Sequence, residues 1–315
     1  MNYPDLIDDF KQKKRGALAR VITLVDNEED EGIEFLKENY EKRKDSFRIG
    51  ITGPPGVGKS SLVNHLLERF AKKYENVGVI AIDPSSPFTG GALLGDRLRM
   101  QKSYEFENVF IRSIASRGSL GGLSTSTENI SQVMESFGMD VILIETVGVG
   151  QSELDIMEIT DIVIVVLVPE SGDSIQAMKA GLMEIGDIFV VNKSDRDGAD
   201  RAVEFIKSSL SFKKNIKNNE TPVIKTSASN EDNIDSLFLA IEDRMKFLND
   251  SDELKMKREQ RREREVKDIL RDLFIKSIDK LIKNMENVNA SPYEKAKKIL
   301  EKTGFNFTED LWKKR

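Results

Sequence analysis

The chain of 315 residues is 39% hydrophobic and 32% charged, with 54 acidic against 48 basic side chains and a formal net charge of −6. That is enough apolar material for a core and more length than one small domain needs, and the acidic balance argues against a chain that holds nucleic acid chiefly by charge. The absence of cysteine excludes disulfides, thiolate catalysis, cysteine zinc sites and iron–sulfur clusters, and the single histidine, His65, excludes a multi-histidine metal site within one chain.

Residues 1–46 are charged, with GALARVITLV and GIEFLKENYEKRK placing apolar positions at helical spacing. They read as a helical N-terminal extension. The start, MNYPDLIDDF, lacks the basic-then-apolar pattern of a signal peptide. The longest apolar run, IVIVVLV at Ile162–Val168, is far too short to span a bilayer. The expectation is a soluble, cytoplasmic protein with no membrane partner.

Residues 47–247 change rhythm. Short Val- and Ile-rich runs begin at Phe47, Val77, Val109, Val141, Ile162, Ile188 and Pro222, mostly separated by helix-like stretches. This predicts an α/β domain with a mostly parallel sheet flanked by helices. Residues 248–315 lose the strands and read as a long, charged helix with a thin apolar stripe. From residue 251 onward the net charge is +5, against −11 for the first 250 residues. Acids and bases interleave in this tail, which favours a solvated helix that packs its stripe over a nucleic-acid arm.

Gly53-Pro54-Pro55-Gly56-Val57-Gly58-Lys59-Ser60 fits the P-loop spacing G-x-x-x-x-G-K-[ST], after strand FRIGIT and before helix SSLVNHLLERF. The glycines let backbone N–H groups wrap phosphate oxygens, and the helix N-terminus, including Ser61, adds positive potential. Lys59 is placed to reach the terminal phosphates and the Ser60 hydroxyl to ligate Mg2+. His65, further along this helix, reads as a partly exposed helix residue without a catalytic task.

Strand IFVVN ends in Asn192-Lys193-Ser194-Asp195, the N-K-x-D pattern that reads guanine. Asp195 can accept from the ring N–H and the exocyclic amine, which adenine does not offer together. Lys193 can lay its stem on the base and Asn192 can tie loops together. The Ser227–Ala228 backbone, after Thr226, can meet the guanine carbonyl. Asp83, Asp96 and Glu145 arise at strand ends or adjacent loops, where open α/β sheets place ligands. With Ser60 they are candidate Mg2+ ligands, direct or through water. Gly148, three after Glu145, stands where a GTPase offers an N–H to the γ-phosphate. The neighbouring Val149 replaces a water-orienting glutamine, so slow hydrolysis by the free protein is expected.

The segments ALARVITLV, GITGPPGVGKSSLVNHL, DPSSPFTGGALLGDRLRM, IETVGVGQSE and NKSD closely resemble the MeaB/ArgK-type P-loop GTPases, from about Gly16 to the C-terminus. The resemblance implies a homodimeric GTPase, with GTP/GDP and Mg2+. Its implied task is to gate cofactor loading and protect an adenosylcobalamin-dependent acyl-CoA mutase, most typically methylmalonyl-CoA mutase. It implies that Ser60, Asp83, Asp96 and Glu145 surround the metal. It also implies that Lys179, in a loop over 169–179, reaches the nucleotide when the partner docks, joining Lys59, Asp83 and Glu145 as catalytic candidates. The C-terminal helical extension is implied to dimerise. Phe305, Phe307, Leu311 and Trp312 read as satellite core packing ahead of a cover for an interface. Two alternatives stand beside this reading: a protein or arginine-transport kinase, for which no acceptor pocket is visible, and a metal-insertion GTPase for a nickel or cobalt enzyme, which usually carries Cys or His ligands.

Overall fold

The computed structural model describes residues 2–84, 106–116, 122–148, 152–169, 181–211, 221–283 and 291–303. Among these, the strands β1 (Phe47–Thr52), β2 (Val77–Pro84), β3 (Val109–Ser116), β4 (Val141–Glu145), β5 (Ile162–Leu167), β6 (Ile188–Val191) and β7 (Val223–Lys225) form one sheet. Their spatial order is β3-β2-β4-β1-β5-β6-β7, and every pairing is parallel. Central β1 pairs Ile49 with Leu143 on one side and with Ile162 on the other.

The sheet is covered on both faces, which is why its strands are continuous apolar runs without polar alternation. Ile49, Ile51, Leu143, Ile164 and Val190 face one core with α4 (Lys59–Lys73) and α9 (Ile234–Asp250). Ile80, Ile142, Ile144, Val165 and Phe189 face the other, with α5 (Gly122–Phe137), α6 (Ser152–Ile159) and α8 (Ala199–Ser211); the short helix α7 (Leu182–Ile185) adds Leu182 there. From β1 the chain crosses through α4 towards β2, whereas β5 lies on the opposite side of β1. This reversal opens a crevice beyond the carboxyl ends of β1, β4 and β5.

The helices α1 (Tyr3–Lys11), α2 (Arg15–Asp26) and α3 (Asp30–Asn39) share the core on the α5 side. The Asn2 side chain accepts from the Asp5 N–H to cap α1. Phe10 meets Phe35 and Phe137 edge-on, with centroids 4.8 and 5.1 Å away.

A cluster of buried charged side chains interrupts that core. Arg48, on β1, is 1% exposed. It donates to Glu135 at 2.7 Å and to Glu128 at 2.6 Å, both on α5. Burial alone would lower the Arg48 pKa, but the Coulombic pull of Glu128 and Glu135 more than reverses this, and the guanidinium stays charged. The Arg48 N–H also donates to Asp161, which is buried, at 2.9 Å.

Residues Met1–Arg258 form one compact unit and Glu259–Arg315 a second, the division falling within α10 (Glu253–Lys283). The root of α10 belongs to the first unit. Leu254 is buried, Lys257 donates to the Asp161 carbonyl at 2.7 Å, and Arg258 donates to the Ser46 carbonyl at 3.0 Å. In the second unit α10 leaves Val266, Leu270 and Leu273 each more than half exposed. There α11 (Pro292–Thr303) starts with a reciprocal cap: the Ser291 N–H donates to Glu294 at 2.9 Å and the Glu294 N–H to the Ser291 hydroxyl at 3.3 Å.

Removing one partner of the Arg48 cluster strands buried charge. Arg48→Ala is expected to lose about 3–5 kcal/mol in urea unfolding, and Arg48→Met combined with Glu128→Gln and Glu135→Gln to recover most of it.

Candidate functional site

The site begins with the turn between β1 and α4. Gly53, Gly56 and Gly58 take φ of 138°, 77° and 96°, a region that L side chains rarely adopt. Space also requires glycine at two of them. A Cβ on Gly53 would overlap the Val166 carbonyl of β5, and one on Gly58 would overlap the Asn192 side chain. The turn is thus pressed against the strand ends, with Pro54 buried, Val57 in the core and Pro55 exposed.

Lys59 opens α4 and is 6% exposed. Its ammonium donates to the carbonyls of Gly53 at 2.8 Å, Pro54 at 3.0 Å and Val147 at 3.4 Å. The cation therefore spans the mouth between the turn and the segment after β4, next to Gly148. Carbonyl oxygens are partners that a phosphate can replace with stronger charge-assisted bonds.

Ser60 donates to Glu145 Oε1 at 2.6 Å, joining the first turn of α4 to the end of β4. Asp83 is buried at the end of β2, where Ala81 is the register partner of Glu145. Hydroxyl and carboxylate oxygens are the donors that Mg2+ prefers. The buried Thr146 hydroxyl, next in sequence to Glu145, donates to that of Thr52 at 3.1 Å. Ser61 is exposed on the same turn of α4. Asp96, Val149, Lys179 and the tail aromatics Phe305, Phe307, Leu311 and Trp312 lie outside the described residues, as does most of the 169–179 loop.

A second set of residues follows β6. Asn192 is buried; its Nδ2 donates to the Val57 carbonyl at 2.8 Å. Its Oδ1 accepts from the Thr226 hydroxyl and from the Ala228 N–H, both at 3.1 Å. Lys193, with φ of 57°, reaches back to the Gly56 carbonyl at 2.6 Å. The exposed Asp195 accepts from the Ser227 hydroxyl at 2.5 Å. That hydroxyl, and then the residue's own N–H, hold the Asp195 carboxyl below its ordinary range, with smaller help from Arg196 and Lys193. Asp195 is therefore an ionised acceptor at neutral pH.

Sequence reasoning missed three features here. Nothing in the P-loop spacing announces the reach of Lys59 to Val147, because that carbonyl comes from another strand end. The Thr52–Thr146 bond carries no motif. His65 makes a bond that its helix position did not suggest: its Nε2 lies 2.9 Å from the Ala228 carbonyl.

A Gly-rich turn and helix at the switch point of an all-parallel sheet, with N-K-x-D two strands away, define a P-loop GTPase. The chain belongs to the methylmalonyl Co-A mutase-associated GTPase MeaB family, whose profile matches residues 18–284. A putative GTPase of Pyrococcus horikoshii is 42% identical over 308 residues, covering 95% of this chain and 97% of that protein. The GTPase ArgK of Escherichia coli is 38% identical over 192 residues, 60% of this chain and 58% of its own. A mitochondrial methylmalonic aciduria type A homolog of Caenorhabditis briggsae is 35% identical across 81% of this chain and 66% of its own. The crystal structure of a LAO/AO transport system kinase superposes with a TM-score of 0.69 at 26% identity, covering 97% of this chain and 99% of that one.

The Ser227 contact makes a prediction about Asp195. A folded-state carboxyl pKa below the ordinary 3.8 keeps the acceptor charged until the pH falls through that lowered value. Ser227→Ala is expected to move the Asp195 titration upward, towards 3.8. Carbon-detected NMR titration of the side-chain carboxyl checks this; an unchanged titration contradicts it.

Proposed function

We propose that this GTPase is a chaperone of an adenosylcobalamin-dependent acyl-CoA mutase, first of all methylmalonyl-CoA mutase, and that it gates cofactor loading and protects the mutase from inactivation. The observation that carries this reading is the family match over residues 18–284, whose family is described by its association with that mutase. The similarity to a methylmalonic aciduria type A homolog supports it.

We assign the following roles, those of Asp96 and Lys179 resting on the family resemblance alone. Backbone N–H groups of Gly53–Ser61 and the start of α4 cradle the phosphates of GTP or GDP. Lys59 leaves its carbonyl partners for the β- and γ-phosphates and stabilises charge that develops as water attacks the γ-phosphorus in line. Gly148 offers a backbone N–H to the same phosphoryl group. Ser60 and Glu145, with Asp83 and Asp96, would hold Mg2+, and their oxygen chemistry fits that ion. The bound ion would neutralise charge on the phosphates. Asp83 or Glu145 positions the attacking water. Asp195 accepts from the guanine ring N–H and amine, Lys193 covers the base, and the Ser227–Ala228 segment meets its carbonyl. Lys179 completes the site when the mutase docks, in keeping with the ordering of GTPase switch segments by partners.

The homodimer is proposed from the exposed apolar residues Val266, Leu270 and Leu273 of α10, which recur at the four- and three-residue steps of a packing stripe. A kinase reading is favoured only by the name of the structurally similar LAO/AO transport system kinase. A metal-insertion reading lacks support in a chain with no cysteine and one histidine.

GTP turnover by the full chain is expected to rise roughly tenfold or more when purified methylmalonyl-CoA mutase is added. Phosphate should be released without labelled protein or arginine. Lys59→Ala should lower turnover by about 10²–10³. No stimulation and no complex would remove the chaperone reading, and labelled acceptor would favour the kinase. In sedimentation equilibrium the wild type should be a dimer and Leu270→Glu/Leu273→Glu a monomer; equal masses would refute this interface.

A further inference from the structure

The mechanism above leaves His65 without a task, yet the histidine is placed with care. It lies on α4, a little over one turn beyond Ser60, and its side chain is only 12% exposed. Its Nε2 is 2.9 Å from the carbonyl oxygen of Ala228. A carbonyl can only accept, so Nε2 carries the hydrogen and the bond fixes the ring's orientation. Nδ1 is buried without a hydrogen bond, 3.8 Å from the Glu231 carboxylate. The same helix turn is anchored again one turn on, where Arg69 donates to the His65 carbonyl at 3.1 Å and to Asp235 at 2.5 Å.

The loop it grips is closed upon itself. The Ser227 N–H donates to the Asp232 carbonyl at 3.2 Å, and the N–H groups of Asn230 and Asp232 return to the Ser227 carbonyl at 3.2 and 3.0 Å. Two outside groups then hold it at Ala228: Asn192 takes the N–H and His65 takes the carbonyl. Because the following peptide is planar and trans, a carbonyl drawn towards α4 turns the Ser229 N–H to the opposite side of the loop, where Ser229 is exposed. The same loop supplies the Ser227 hydroxyl to Asp195.

We infer that His65 is a positioning residue for base recognition: its Nε2–H bond to the Ala228 carbonyl sets the orientation of the loop edge that meets the guanine O6, and links that edge to the helix that begins at Lys59. The inference rests on the guanine reading proposed above. A histidine that only filled space would stabilise the fold without affecting which atom of the base is read. A positioning histidine acts selectively on O6, because the exocyclic amine is read by Asp195, whose partner Ser227 is held by the loop's own bonds to Asp232 and not by His65.

The test uses the 315-residue chain and measures affinities for GDP, 6-thio-GDP, whose sulfur at position 6 is a larger and weaker acceptor than oxygen, and IDP, which lacks only the exocyclic amine. Melting curves accompany each variant. In wild type GDP should bind more tightly than either analogue. His65→Leu should weaken GDP by about tenfold, the worth of one well-placed hydrogen bond, and shrink the GDP to 6-thio-GDP ratio by a similar factor. The GDP to IDP ratio should stay within about twofold, since Asp195 keeps its contacts. His65→Asn, whose amide is too short to reach Ala228, should reproduce the loss should the leucine variant fail to fold. His65→Gln places an amide N–H near the position of Nε2 and should restore both values. A wild-type GDP to 6-thio-GDP ratio in folded His65→Leu or His65→Asn, or no rescue by a folded His65→Gln, overturns the inference and leaves the guanine reading intact. A wild type that does not distinguish GDP from 6-thio-GDP overturns the loop reading and the inference together.

Discussion

The geometry of the site depends on one buried amide. Asn192 donates from Nδ2 to the Val57 carbonyl and receives at Oδ1 the Thr226 hydroxyl and the Ala228 N–H. Three segments far apart in sequence meet there: the Gly-rich turn, the end of β6 and the loop after β7. Asparagine suits this position because it carries a donor and an acceptor on one short, planar group, and each finds a partner in a place that water does not reach. An aspartate would have no donor for Val57, and a leucine would strand buried polar groups at a cost of about 1–3 kcal/mol each. The same amide fills the space that a side chain on Gly58 would need. The Gly-rich turn and the loops after β6 and β7 are therefore built as one object.

The parallel sheet makes this possible by separating two kinds of work. At the carboxyl ends of its strands lie the polar groups with chemistry to offer: Lys59, Ser60, Glu145, Asn192 and Asp195. At the opposite ends lie ion pairs that hold the scaffold. Arg48 binds Glu128 and Glu135 on α5, and Arg258 and Lys257 fasten the root of α10 near Asp161 and Asp187. Asp187 also receives Arg244 at 2.9 Å. A cluster of this kind is costly to desolvate and is weak evidence of net stability, but removing any one partner leaves the others buried and unpaired. On the proposed reading, a partner that orders loops at one end of the sheet works against a rigid base at the other.

Much of this was legible in the sequence for physical reasons. Strands buried on both faces must be apolar throughout, and the runs FRIGIT, VILIE and IVIVVLV have little other use in a chain of this composition. The Gly-rich turn was legible because a backbone cradle for phosphate leaves few alternatives at Gly53, Gly56, Gly58 and Lys59. Asn192 and Asp195 stand out in the sequence because N-K-x-D after a buried strand is a short pattern of particular donors and acceptors. Arg48 was not, because its partners lie 80 and 87 residues away on α5, and nothing local distinguishes a buried arginine in β1 from a strand-edge charge. His65 was read as a bystander for the same reason: its partner is a main-chain carbonyl 163 residues on. Side chains that act on distant backbone leave no periodicity and no motif.

On the proposed reading, Asn192 makes one unit of the phosphate and base halves. Calorimetric titration of GDP and ADP into wild type and Asn192→Ala tests it most directly. Wild type is expected to prefer GDP by about 100-fold or more, and Asn192→Ala to lose affinity for ADP as well as for GDP, because the support of the Gly-rich turn is lost along with that of the base loop. An Asn192→Ala variant that bound ADP as wild type does, and lost only its preference for GDP, would contradict it.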